Sequence, residues 1–191
     1  LSNGETIKNP RHIRQHEEKL AQLQRQLSRK KKGSNNRKKA KLKVARLHEK
    51  VSNTRTDFLH KTSTKLVNDY SFIALEKLAS KEMSEKNFGR SINDAGWNKF
   101  TNMVSYKAES AGCKVVFVNP KNTTQECSNC GKIVRKELWE RTHNCTCGLS
   151  IDRDLNASLN ILKRATVGQA GSNASGNGII VPLKKEEAHT F

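Results

Sequence analysis

The sequence predicts an α/β fold, and three observations support this class. Two short apolar runs, at 72–75 and 115–118, have the length and composition of buried strands. Apolar residues recur at helical spacing between these runs and again after the second one. Strands that alternate with helices in this way are typical of α/β proteins. The chain has 191 residues, which is enough for one domain of ordinary size with a small appendage.

The formal charge of +18 favours a polyanionic partner, and nucleic acid is the first candidate. Residues 1–70 carry 19 Lys and Arg against 6 Asp and Glu, so most of the positive charge lies in the first third of the chain. No run of about 18 apolar residues spans a membrane, and no apolar segment near the start predicts a signal peptide. We therefore expect a cytoplasmic, nucleoid-associated protein of prokaryotic type with no membrane partner. The sequence leaves the oligomeric state open.

Residues 1–9 are predicted to be the remnant of a β-hairpin, and residues 10–70 a basic helical hairpin. Asn3-Gly4 favours a hairpin turn before Thr6-Ile7, and Pro10 is a good residue for the start of a helix. Two apolar stripes at helical spacing follow, formed by Ile13, Leu20, Leu23 and Leu27 and then by Val44, Leu47, Val51 and Phe58.

The turn between these two helices is strongly basic. The run 33–36, Gly-Ser-Asn-Asn, breaks the helix. Because no acidic residue lies in this stretch, we favour contact with nucleic-acid phosphates over a merely solvated loop. The basic residues of the turn and its flanks are Arg29, Lys30, Lys31, Lys32, Arg37, Lys38 and Lys39.

Helices are also predicted after each strand of the α/β region. The first is capped by Ser91 or Asn93, ends at Gly112, and carries Trp97, Phe100, Val104 and Ala108 on one side. The last helix has Asp154 as its predicted N-cap and places Leu155, Leu159 and Leu162 on one face. Residues 166–191 are expected to form a flexible tail, because their first part is rich in Gly, Ser, Ala and Asn.

Four of the five cysteines have the spacing C-x2-C-x14-C-x-C, at Cys127, Cys130, Cys145 and Cys147. Zn²⁺ prefers four soft ligands at tetrahedral corners, and two such pairs on tight turns supply them. The second pair is one residue shorter than the usual C-x2-C, so His143 is an alternative ligand, although we expect it to be a surface histidine. Four protein ligands leave no open position, which predicts a structural zinc. Cys113 is expected to be a buried, small apolar residue.

Acidic residues beside apolar strands are informative in so basic a chain. Glu76 directly follows the strand at 72–75, and ligand sites in α/β sheets cluster at the carboxyl ends of strands. Asp152 and Asp154 lie where the cysteine-rich segment meets the last helix. Carboxylates at such places can hold Mg²⁺ for the cleavage of phosphodiester bonds. The spacing alone leaves open that Glu76 is a surface residue and that Asp154 only caps a helix.

The order of these motifs resembles the TnpB/OrfB proteins of insertion sequences, which are relatives of the type V CRISPR effectors. The resemblance covers about residues 1–165 and depends on three stretches. They are Gly96-Trp97-x-x-Phe100 with Tyr106-Lys107-Ala108 and Gly112, Thr123-Thr-Gln-x-Cys127-Ser-x-Cys130-Gly131, and Cys147-Gly followed by Asp152-Arg-Asp154-x-Asn156-Ala-x-x-Asn160-Ile161. The helical hairpin at 10–70 is similar to an insertion that this family carries before its Glu-bearing strand.

The resemblance implies a partial RNase H-like (RuvC) fold, at 71–120 and 148–165, with an inserted zinc ribbon at 121–147. It implies a transposon-associated, RNA-guided DNA endonuclease with DNA and a guide RNA as partners, and three carboxylates that hold two Mg²⁺. Glu76 matches the second acid, and Asp154, with Asp152 as its neighbour, matches the third. The family's first acid lies in an Asp-x-Gly motif that precedes the segment resembling residues 1–4. We therefore expect this chain to be catalytically incomplete as given, and whether it acts as an enzyme stays open. Asp94-Ala-Gly96 has the letters of that motif at another place in the order.

Two alternatives remain at this point. The chain is also consistent with a nuclease-dead DNA- or RNA-binding zinc-ribbon protein derived from the same family. A basic zinc-ribbon protein of ribosomal type is disfavoured, because it needs neither Glu76 nor Asp154.

Overall fold

A computed structural model describes residues 1–78, 94–137 and 139–170. These residues divide into two compact units. The first unit comprises residues 1–8, 65–78, 104–137 and 139–170, and the second comprises residues 9–64 and 94–103. The helix cap expected at Ser91 or Asn93 and most of the expected tail lie outside the described residues.

The second unit contains the predicted helical hairpin. Its helices are α1 (His12–Gln15), α2 (Glu17–Ser28) and most of α3 (Asn35–Asp69). The first predicted helix is divided at His16, whose backbone angles (φ −113°, ψ 5°) leave the helical region. The predicted break before α3 is present at Gly33, where φ is 83°, and at Ser34. Asn35 and Asn36, also expected to break the helix, are instead the first two residues of α3.

The apolar stripe of α3 forms the core of this unit. Leu47, Val51 and Leu59 are buried. The backbone of Gly96 approaches so closely that a Cβ there would lie 3.0 Å from a Leu59 methyl, which explains why a glycine occupies this position.

Asp94 has a structural role in the second unit. Its carboxylate is buried, accepts the backbone N–H of Ile13 at 3.2 Å and pairs with the Arg55 guanidinium at 3.2 Å. Buried carboxylates need such partners, because an unpaired charge in the interior is strongly unfavourable. The Asp94-Ala-Gly96 sequence therefore anchors α1 to α3.

The first unit contains a parallel pair of strands, β1 (Phe72–Glu76) and β2 (Lys114–Val118). The helix α4 (Trp97–Ala111) precedes β2 and ends at Gly112, as predicted, where φ is 65°. Ile73 and Val118 are buried, and the register places Glu76 opposite Val118. Both strands were predicted from their apolar runs, and Cys113 is buried before β2, as expected.

A short antiparallel pair and a long helix complete the first unit. The strands β3 (Thr142–Asn144) and β4 (Ser150–Asp152) pair with His143 opposite Ile151. The helix α5 (Arg153–Ala170) contacts both sheets. It extends beyond the predicted end at 165, so the first residues of the expected tail are helical.

Of the β-hairpin remnant expected at 1–9, the structure contains the turn but not the strands. The turn is present, because the Gly4 N–H donates to the Leu1 carbonyl at 3.1 Å and Gly4 has a φ of 88°. No strand forms in this described segment, since Thr6 and Ile7 make no ladder. The side chain of Asn3 instead donates to the Tyr70 hydroxyl at 3.1 Å.

Candidate functional site

The four cysteines of the predicted metal site come together in the first unit. Their Sγ atoms all lie within 4.8 Å of one another. Cys127 and Cys147 are separated by 3.7 Å between Sγ atoms, and Cys130 and Cys145 by 3.5 Å. Across 1–78, 94–137 and 139–170, no other group of three or more His, Cys, Asp or Glu side chains is close enough to share an ion.

These distances fit a metal better than a disulfide. A tetrahedral zinc with Zn–S bonds of about 2.3 Å separates its sulfurs by about 3.8 Å. A disulfide requires an S–S distance of about 2.05 Å, and all four cysteines are free. The cluster is therefore compatible with a zinc site.

Each cysteine pair lies on a tight turn closed by backbone hydrogen bonds. In the first turn, the Gly131 N–H donates to the Cys127 carbonyl at 2.8 Å. In the second, the Gly148 N–H donates to the Cys145 carbonyl at 3.0 Å. Both glycines have positive φ, 76° and 90°, which explains why a glycine follows each pair.

Neighbouring donors give the thiols unequal pKa values. The backbone N–H of Leu149 and then the side-chain amide of Asn129 lower the pKa of Cys147 to about 6. For Cys130, the Lys132 N–H also lowers the pKa, but desolvation and three neighbouring thiols outweigh it and raise the pKa to about 11. Of these two thiols, Cys147 therefore ionises at the lower pH, and the thiolate is the form that binds metals.

His143 is not a surface residue, so that expectation is wrong. It is fully buried, and burial followed by the charge of Lys136 lowers its pKa. Side chains alternate along a strand, and the flanking Thr142 and Asn144 of β3 are exposed, so His143 faces inward. It also lies outside the ligand cluster, which consists of four cysteines.

Glu76 is the last residue of β1 and is half-buried. Its Oε1 accepts a hydrogen bond from the Thr123 hydroxyl at 2.5 Å. Thr123 lies in the loop that joins β2 to the first cysteine pair. The carboxylate predicted at the strand end is thus held by Thr123, a residue that nothing in the sequence pattern marks as part of the site.

Asp152, not Asp154, is the N-cap of α5. The Asp152 Oδ1 accepts the N–H groups of Asp154 at 2.8 Å and Leu155 at 3.0 Å. Asp154 lies in the first turn with its side chain 71% exposed, 3.7 Å from the Arg153 guanidinium. Because β4 ends at Asp152, the helix begins two residues earlier than predicted, at Arg153. The cap is therefore Asp152, and the carboxylate of Asp154 takes no part in it, although both residues are exposed.

The most buried polar residues of α5 are Asn156 and Asn160. The predicted face of Leu155, Leu159 and Leu162 is only half-buried, whereas both asparagines are almost completely buried. The Asn156 side chain accepts the Ser128 N–H at 2.9 Å and donates to the Glu126 carbonyl at 2.7 Å. The Asn160 amide donates to the carbonyls of Thr123 at 2.9 Å and Glu126 at 2.7 Å.

Arg164 continues this row of polar side chains one turn further along α5. Its guanidinium pairs with the Glu126 carboxylate at 2.5 Å and donates to the carbonyls of Asn119 at 3.0 Å and Lys121 at 2.7 Å. Residues 156, 160 and 164 recur every four positions, so they share one face of the helix. This i, i+4, i+8 spacing of polar residues is the sequence signal that identifies the face.

In the second unit, the basic turn divides into one packed and six exposed residues. The Arg37 guanidinium donates to the carbonyls of Leu27 at 3.1 Å and Lys30 at 3.0 Å, which satisfies the end of α2. Arg37 is therefore engaged in closing the turn. The exposed members are Arg29, Lys30, Lys31, Lys32, Lys38 and Lys39.

Fold and site together define a mixed α/β protein with a four-cysteine, zinc-type cluster. A model of the OrfB family, described as "Probable transposase", matches residues 1–87. A second model, described as "Cas12f1-like, TNB domain", matches residues 97–161. No helix among the described residues is long and apolar enough to cross a membrane.

Relatives with closely similar sequences carry consistent names. A "Putative RNA-guided DNA endonuclease" of Streptomyces pristinaespiralis is 41% identical over 182 residues, which are 94% of this chain and 44% of that protein. The "Putative RNA-guided DNA endonuclease InsQ" of Escherichia coli is 35% identical over 180 residues, which are 85% of this chain and 45% of InsQ. The chain belongs to the TnpB/OrfB family. It spans less than half the length of these two relatives.

A solved structure shares the fold. Cas12f1, in the cryo-EM structure of its complex with sgRNA and target DNA, matches 82% of this chain with a TM-score of 0.58 and 21% identity. The match covers 43% of the Cas12f1 chain.

Proposed function

We propose that this chain is part of an RNA-guided DNA endonuclease whose cleavage site has an RNase H-like (RuvC) fold. The observation that carries the proposal is the placement of two acids in one unit. Glu76 ends β1, and Asp154 lies in the first turn of α5, the helix that packs against β1 and β2. The names of the two bacterial relatives support the same activity, and the Cas12f1 complex supports guide RNA and DNA as partners.

In this proposal Glu76 and Asp154 are ligands of Mg²⁺, which prefers carboxylate oxygens. Asp154 fits this role because its side chain is 71% exposed. Glu76 fits because the Thr123 hydroxyl engages one carboxylate oxygen, Oε1, and leaves Oε2 for a ligand. Asp152 is a neighbour that sets where α5 begins, since its Oδ1 caps the helix.

Bound Mg²⁺ would activate a water and stabilise the leaving oxygen of a phosphodiester bond. The residues of the chain contribute position and charge. The positive end of the α5 dipole makes its first turn a favourable place for a carboxylate such as that of Asp154, and Asp152 caps the N–H groups of Asp154 and Leu155 there. Glu76 is fixed at the strand end by the β1–β2 pairing and by Thr123.

The cysteine cluster and the basic turn have separate roles in the proposal. Four thiolates close the coordination of a zinc ion, so the zinc stabilises the ribbon at 121–147 and takes no part in cleavage. The six exposed basic residues at 29–39 contact nucleic-acid phosphates and supply sequence-independent affinity. The described residues within 71–120 and 148–165 form the RuvC-like core in this proposal.

The metal role is tested by titrating the purified chain with Mn²⁺, a paramagnetic substitute for Mg²⁺, into the millimolar range. Nuclear magnetic resonance then reports which backbone amides broaden. We expect broadening around Glu76 and Asp154, and its loss in Glu76→Gln and in Asp154→Asn. Asp57→Asn is the matched control, because Asp57 is an exposed acid paired with Lys61 on α3.

The result that contradicts the proposal is broadening that persists in both site variants, or that falls equally in Asp57→Asn. Zinc content is measured in parallel, so that a general loss of fold is recognised as such.

A further inference from the structure

Thr123 is the buried residue that touches the Glu76 carboxylate. Its side chain is 2% exposed, and its Oγ1 lies 2.5 Å from Glu76 Oε1 and 3.2 Å from the Pro120 carbonyl oxygen. A hydroxyl has a single proton to donate. The distance to Glu76 is the shorter and is typical of an O–H donor on an ionised carboxylate. The proton therefore belongs to the Glu76 contact.

A hydrogen bond from Asn160 of α5 holds the backbone of Thr123 in position. The amide of Asn160 donates to the Thr123 carbonyl at 2.9 Å and to the Glu126 carbonyl at 2.7 Å. Asn160 is 2% exposed, so these bonds are made where water does not compete. Helix α5 thus fixes the loop at Thr123, and Thr123 in turn fixes the Glu76 carboxylate.

We propose that Thr123 is a positioning residue for Glu76: its hydroxyl fixes Oε1, and the second oxygen is thereby presented to a divalent cation. The inference rests on the proposed function, because it assigns the purpose of the contact to the metal site. A glutamate side chain has three rotatable bonds, so without a fixed partner it samples several rotamers. Fixing one oxygen removes most of that freedom before a cation arrives.

The size of the effect follows from other metal sites. Residues that hold metal ligands in place typically change metal affinity by about 10- to 100-fold when they are removed. Thr123→Val keeps the shape of the side chain and removes only the donor. We therefore expect Mn²⁺ to bind about tenfold more weakly to Thr123→Val, while Thr123→Ser, which keeps the hydroxyl, retains most of the affinity.

The experiment measures Mn²⁺ affinity, zinc content and thermal stability for Thr123→Val, Thr123→Ser, Thr124→Val and Glu76→Gln, all in the full chain. Thr124 is the matched control, because it is the adjacent threonine and is exposed. A merely structural role of Thr123 lowers the melting temperature without changing Mn²⁺ affinity in the folded protein. Rescue of the affinity by serine supports a positioning role.

Two outcomes separate this inference from the proposed function. If Glu76→Gln loses Mn²⁺ binding while folded Thr123→Val binds like the parent chain, the positioning role is refuted and the metal site stands. If Glu76→Gln binds Mn²⁺ like the parent chain, the proposed metal site is refuted and the role of Thr123 is refuted with it.

Discussion

Replacing Asn156 by alanine tests whether α5 shapes the first cysteine pair. The Asn156 side chain is fully buried and accepts the N–H of Ser128, which lies between Cys127 and Cys130. In Asn156→Ala this N–H loses its partner. The Glu126 carbonyl keeps a donor, because Asn160 also contacts it at 2.7 Å.

The expected loss of stability follows from the hydrogen bonds that the substitution removes. The orphaned, partly buried Ser128 N–H costs about 1–3 kcal/mol, and the lost hydrogen bond from Asn156 to the Glu126 carbonyl adds about 1 kcal/mol. We therefore expect the free energy of unfolding to fall by about 2–4 kcal/mol. Zinc affinity is expected to fall by about 10- to 100-fold, because Asn156 orients the turn that carries two of the four thiols.

The assay is competition for zinc with a chelating dye, together with denaturant unfolding in excess zinc. Asn160→Ala is the matched variant, because it also removes one buried amide and orphans one group, the Thr123 carbonyl, but does not touch Ser128. Asn102→Ala, on the exposed side of α4, controls for asparagine removal as such. Equal loss of zinc affinity in Asn156→Ala and Asn160→Ala would refute a specific role of Asn156.

Three further predictions concern the thiols, the helix cap and the basic turn. After zinc removal at pH 7, an alkylating agent should modify Cys147 well before Cys130, since their pKa values are about 6 and about 11 and both are exposed. The Cys147 rate should decline as the pH falls through about 6, and equal rates by mass spectrometry contradict the assignment. Asp152→Ala should lower the unfolding free energy by about 1 kcal/mol because it removes the cap, whereas Asp154→Ala, measured the same way, should change it much less. Lys31→Gln should reduce the slope of log affinity for DNA against log salt by about 0.9, and an unchanged slope excludes a phosphate contact.

The cysteine cluster and the strand-end glutamate are the parts that sequence predicts best. The spacing of Cys127 and Cys130 limits their turn to one of few geometries, and the chain between the pairs is short enough to return. The position of Glu76 at a strand end is predictable because a short apolar run ends at it. Its role as a metal ligand stays a prediction. Both predictions depend on residues that lie close together in the sequence, so a single sequence is sufficient to make them.

What sequence did not predict depends on distant backbone groups. Asn156 and Asn160 are buried because the loop at 123–128 presents N–H and C=O groups that need partners, and that loop is about 30 residues away in sequence. Apolar periodicity predicts that Leu155 and Leu159 lie on the buried face of α5, because it reflects only the positions of hydrophobic residues. It carries no information about polar side chains that are buried to pair with distant backbone groups. The sequence offers both Asp152 and Asp154 near the start of α5, and only the end of β4 shows that Asp152 is the cap.

The placement of His143 shows a related limit. On a three-residue strand, a shift of one residue exchanges the side chains that face inward with those that face outward. The sequence around 142–144 has too few apolar residues to show which side chain faces inward. The basic turn shows the opposite case. Its charge was evident, but the use of Arg37 to close α2 depends on carbonyls that only the folded turn brings near.

In the proposed function, Glu76 at the end of β1 and Asp154 in the first turn of α5 bind the same kind of divalent cation. The most direct measurement is anomalous diffraction from crystals of the full chain soaked in Mn²⁺. We expect an anomalous peak within about 2.0–2.6 Å of an oxygen of Glu76 or Asp154, with separate zinc density among the four cysteines. Mn²⁺ peaks that touch neither carboxylate, in crystals where both side chains are ordered and open to solvent, would contradict it.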